Sequence, residues 1–65
     1  MTPTIQEELV EKLAELRRLS PGVRFGQLLA NLAFLVEDQT DETIREIEDE
    51  RLLEVMKRHR ADLTR

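Results

Sequence analysis

The chain has 65 residues and no cysteine, so it forms one domain at most and has no disulfide, thiolate metal site or thiol nucleophile. At this length folding buries only about 60% of the unfolded surface, which leaves close helix packing or self-association as the sources of extra stability. The net charge of −4 is unevenly spread: residues 37–50 hold eight acids against Arg45 alone, and residues 51–65 hold five bases against Glu54 and Asp62. That order disfavours nucleic acid, whose phosphates demand a dense basic face.

The opening MTPTIQEELVEK has neither the basic start nor the apolar run of a secretory signal, and the expected location is cytoplasmic. Ile5, Leu9, Leu13 and Leu16, flanked by Val10 and Leu19, repeat at three or four and predict a first helix over about 4–19. Thr4 with Glu7 forms a capping-box pattern, and Thr2 with Pro3 at the first helical position is an equally good start. Acids come early and Arg17 and Arg18 late, which suits the helix dipole. SPGV ends the helix, because Pro21 disfavours helical geometry at Ser20 and precedes a glycine that accepts turn conformations.

Residues 25–36 carry no charged side chain, and they predict a second helix. The stretch is shorter than the roughly 20 apolar residues that span a bilayer, so it is core or interface material. Phe25, Leu28, Leu29, Leu32, Leu35 and Val36 form a wide stripe expected to face the core. Gly26, Ala30 and Ala33 make a small-residue strip beside it, and Gln27, Asn31 and Phe34 occupy the remaining side. Two neighbours in a three-helix protein do not easily cover a helix that is apolar nearly all round, whereas a second copy of the chain would. Gln27, Ala30, Asn31 and Phe34 are therefore the interaction candidates. Gln27 and Asn31, four apart, have two readings: contact with a partner, or satisfaction of backbone groups at a neighbouring turn. A buried Asn31 would also set the register of a self-associating helix.

Beyond residue 40 the periodicity divides. Ile44 and Ile47 point one way, and Leu52, Val55, Met56, His59 and Leu63 point another, rotated by about 100° on an ideal wheel. A short turn or helix over about 40–47 and a third main helix over about 50–61 follow, with Asp49 as the expected N-cap and Glu50 in the first turn. Thr64 and Arg65 are expected to fray.

The chemical motifs are weak. The acids of DQTDETIREIEDE lack the glycine and the spacing of a calcium loop, and read as a solvated face that keeps the protein soluble. His59 is the single histidine and lies on the apolar side of the third helix, where a packing role is expected. Ser20 has no partner base in its neighbourhood. Gly22 and Gly26 satisfy no phosphate-binding fingerprint. No catalytic, metal or cofactor-binding residue is assigned, and no cofactor or enzymatic activity is expected. Arg51, Arg58 and Arg65 recur every seven residues on the third helix, which supports a second reading as a small DNA-binding or transcription-regulating protein.

VRFGQLLANL followed by IEDERLLEVM resembles a pattern in small uncharacterised bacterial proteins, R-x-G-Q-L-L-x-N and then I-E-D-E at the opening of a helix. The matching positions are Arg24, Gly26, Gln27, Leu28, Leu29 and Asn31, then Ile47, Glu48, Asp49 and Glu50. The resemblance covers about a third of the chain and implies a shared way of joining two helices, with no chemistry attached. A charge-assisted hydrogen bond from Arg24 to Glu48 or Asp49 would form such a structural joint. The overall expectation is an all-α, three-helix domain that acts as a homodimeric, non-enzymatic protein-protein interaction module, with nucleic acid and membrane not expected as partners.

Overall fold

The computed structural model describes residues 2–65, which form three helices: α1 (Ile5–Leu19), α2 (Phe25–Thr40) and α3 (Asp49–Leu63). The all-α, three-helix expectation holds. Among the described residues no helix is long and apolar enough to cross a membrane.

Local chemistry accounts for the ends of α1. The Thr4 hydroxyl oxygen accepts from the Glu7 backbone N–H at 3.1 Å and also lies 3.2 Å from the Glu7 carboxylate, to which it donates. Thr4 is thus the N-cap, and Pro3 stays outside the helix. Ser20, with φ −130° and ψ 60°, leaves helical geometry as the following proline requires. The Val23 N–H then closes a turn onto the Ser20 carbonyl at 3.1 Å. Gly22 does not use the left-handed region open to glycine; among the described residues that conformation belongs to Asp41 alone, at φ 61°.

α2 runs four residues beyond its expected end at 36. The loss of apolar residues there marks a change of surface, and nothing in Glu37, Asp38 or Gln39 breaks a helix. The Thr40 hydroxyl donates to the Val36 carbonyl at 2.6 Å, and left-handed Asp41 closes the helix with its N–H on the Glu37 carbonyl at 3.2 Å. Between α2 and α3 the chain makes a turn, with the Glu46 and Ile47 N–H groups both on the Thr43 carbonyl. The two pieces read from the split periodicity are therefore a turn and a helix.

α3 begins one residue before the expected start and ends two after it. Its N-cap position is Glu48, whose side chain caps nothing, and Asp49 is the first helical residue. The Asp49 cap assignment is thereby corrected: its carboxylate favours the positive end of the dipole and receives no capping N–H. Thr64, expected to fray, donates through its hydroxyl to the Arg60 carbonyl at 3.1 Å and closes the helix.

Glu15 near the end of α1 pairs with Arg60 near the end of α3, so these two helices run in the same direction. Leu28 and Leu32, early in α2, share a buried cluster with Leu16 and Met56, while Val36, late in α2, packs with Ile47, just before α3, and with Val55 at the middle of α3. α2 therefore runs opposite to both. α1 and α3 form the principal pair, and α2 lies mainly on α3. Leu16 and Val36 are completely enclosed, and Leu53, absent from the expected core, is buried as well.

Candidate interaction surface

The helix without charges remains partly uncovered after folding. Leu28, Leu32 and Val36 face inward, 100° steps along α2 bring Leu35 to their border, and the opposite side is open to solvent. Phe25 and Leu29, expected in the core, are corrected to surface positions with 48% and 40% of their area exposed. Leu29 lies at the edge of the buried stripe, whereas Phe25 is in line with it but stands at the first residue of α2. Phe34 lies opposite the core and is 67% exposed.

All four interaction candidates, Gln27, Ala30, Asn31 and Phe34, are exposed and share this outward face. The Gln27 side-chain N–H donates to the Asn31 side-chain carbonyl at 2.9 Å. The two amides thus satisfy each other along one turn, and the reading in which they serve neighbouring backbone groups is corrected. Gly26 adds to the openness: a Cβ built on it meets nothing within 4 Å. Because α2 extends to Thr40, Glu37 and Asp38 continue the same outward face. Their part in it was missed by ending the helix with its apolar run, although the spacing 27, 31, 34, 38 already carried the signal.

Arg24 does not form the joint drawn for it with Glu48 and Asp49. Among the described residues no ion pair links them. Arg24 heads α2, and the loop carrying Glu48 leaves from its other end, about 24 Å away along a 16-residue helix. Arg24 instead lines a shallow hollow at the α1–α2 turn with Arg17, Arg18, Val23 and Phe25.

No family model, curated protein or solved structure matches the chain.

The remaining charged groups are organised by α3. Arg51 pairs with Glu42 at 3.5 Å, Arg65 with Asp62 at 3.0 Å, and Arg60 with Glu15. Three of the five bases after residue 50 are thus matched to acids, which breaks the seven-residue row of Arg51, Arg58 and Arg65 at two of its members. Glu15 also accepts from Lys12 at 3.3 Å. That hydrogen bond, then the positive charges of Lys12 and Arg60, hold its carboxyl below the usual glutamate value of 4.5 against an opposing desolvation. His59 is half-buried in α3, and neither its ring nor the Ser20 hydroxyl has a side-chain hydrogen-bond partner among the described residues. The acids of residues 37–50 do not converge: among the described residues no three His, Asp or Glu side chains form a group able to hold a metal ion.

Proposed function

We propose that this chain is a non-enzymatic helical interaction module that works as a homodimer, burying the Phe34 side of α2 against its copy. The observation that carries the reading is Phe34 itself. It stands in the middle of a helix whose first twelve residues are uncharged, 67% exposed, on the side that no helix of its own chain covers. A lone exposed apolar residue is ordinary. Phe34 is accompanied by Ala30 and Gly26 on one flank and by the mutually bonded Gln27 and Asn31 on the other, a surface without a formal charge over two turns. An aromatic ring supplies more buried area than any other contact such a patch offers.

Total surface supports the same reading. The chain exposes 5016 Å², whereas a compact monomer of 7.6 kDa is expected to expose about 4,300 Å². The excess, about 700 Å² over the whole chain, is surface that a partner would help to cover.

Sedimentation equilibrium over a wide dilution series tests the proposal. Wild type is expected to reach a dimer at micromolar concentration, and Phe34→Asp to remain monomeric with unchanged helical circular dichroism, since its side chain supports no core contact. A wild-type chain that stays monomeric throughout, or a Phe34→Asp chain that dimerises as wild type does, overturns it.

A further inference from the structure

The charges at the two ends of α2 are placed against its own dipole, and this indicates how a second copy would lie. α1 has Glu7 and Glu8 in its first turn and Arg17 and Arg18 in its last; α3 has Asp49 and Glu50 in its first turn and Arg60 in its last. Both follow the rule that acids favour a helix N-terminus and bases its C-terminus. α2 inverts it. Arg24 occupies the N-cap position, provides no side-chain cap, and stands beside Arg17 and Arg18, while Glu37 and Asp38 fill the last turn and Asp41 follows. Among the described residues none of these three bases and three acids belongs to an ion pair.

We infer that two copies associate through antiparallel α2 helices about a two-fold axis passing between Ala30 and Asn31. The inference rests on the homodimer proposed above and adds its orientation and register. In this arrangement each residue lies level with the one whose number completes the sum 61. Ala30 lies level with the partner's Asn31 and Gln27 with the partner's Phe34, and Arg24 meets the partner's Asp38, which shares its flank of the helix, with the partner's Glu37 at the same height on the other flank. The four exposed candidates form the centre, and the two unpaired charge clusters form both rims. Each α2 N-terminus then receives the acids, and each C-terminus the bases, that its own sequence does not provide. A two-fold interface uses one patch on both subunits and therefore demands self-complementarity; a helix basic at one end and acidic at the other has it in the antiparallel sense alone. Parallel pairing would set Arg24 against Arg24 and Glu37 against Glu37. Ala30 next to the axis and Gly26 on the flank are small and exposed and let the backbones approach.

Charge exchange separates this inference from the dimer reading beneath it. Arg24→Glu is expected to raise the dissociation constant of the dimer about tenfold at low salt, because two exposed opposite-charge contacts become like-charge contacts. Glu37→Lys with Asp38→Lys is expected to do the same. The chain carrying all three substitutions, or an equimolar mixture of the two variants, is expected to return to within about threefold of wild type, a recovery that loss of folding would not allow. All of these substitutions bring α2 into line with its own dipole, so the monomers keep their helicity. A wild-type dimer indifferent to the single-site charge reversals, or one not restored by the exchange, overturns the antiparallel arrangement and leaves the Phe34 interface standing. A wild-type monomer at all concentrations overturns both.

Discussion

α1 and α2 have nearly the same length, 15 and 16 residues, yet they solve opposite problems. α1 is complete within the chain: Thr4 caps its start, its charges follow its dipole, and Glu15 ties it to Arg60 on α3. Its outer face is charged apart from exposed Val10, so solvent is an adequate neighbour for most of it. α2 has the apolar content but not the finishing. Its first residues lack a side-chain cap, its terminal charges are reversed, and Phe34 faces outward. An element rich in core-type residues need not be the best-covered one. Coverage depends on what packs around a helix, and here the charged helices form the principal pair while the uncharged one lies on their flank.

The sharpest way to break the contrast is to weaken the covered side. Leu16 is completely enclosed where the three helices meet, and Leu16→Ala is expected to cost about 3 kcal/mol in chemical denaturation. For a domain of this size that loss would consume most of its stability. Next comes the finishing of α1. Thr4→Ala removes the oxygen that accepts the Glu7 N–H and is expected to cost about 1 kcal/mol, read as a lowered thermal midpoint. Asp49→Ala, by contrast, removes a favourable charge without removing a cap, and about 0.5 kcal/mol is expected. Equal losses at the two positions would restore Asp49 to the capping role.

The smallest expected effect lies in pH. Glu15 has its carboxyl lowered in the folded chain, first by the Lys12 hydrogen bond. A lowered folded value means that protons bind the unfolded chain more readily. The contribution is thus fully present above about pH 4.5 and is lost as pH falls through the folded value. Thermal midpoints of wild type and Glu15→Gln should differ at neutral pH and converge as the medium becomes acidic. A constant gap would show that the carboxylate charge is not what Lys12 and Arg60 use.

Much of the fold was legible because it rests on short-range chemistry. Thr4 with Glu7, the Ser20-Pro21 break and the division between the Ile44–Ile47 and Leu52–Leu63 patterns each act over short stretches, and they appear in the structure as an N-cap, a helix end, and a turn followed by a helix. The exposed face of α2 was legible in part: Gln27, Ala30, Asn31 and Phe34 were separable from the buried stripe on a wheel, and all four are exposed. The contacts assigned between distant segments fared worse. Arg24 with Glu48 or Asp49 required knowing which ends of α2 and α3 come together, and charge alone does not contain that information. Glu37 and Asp38 were separated from the face by ending α2 where its apolar residues ended, although helix continuation depends on backbone compatibility and Thr40 supplies a late hydrogen bond.

By itself the sequence determined the three helices, their breaks and the presence of an uncharged segment that water does not suit. The tertiary structure decided which part of that segment is covered. On a helix apolar nearly all round, local preference does not distinguish Phe25 and Leu29 from Leu28 and Leu32. Their fates diverge because α1 and α3 form the principal pair and α2, held by Leu28, Leu32 and Val36, has too few neighbours to cover Leu29 at the edge of its buried stripe, while Phe25 stands at its first residue, outside both buried clusters.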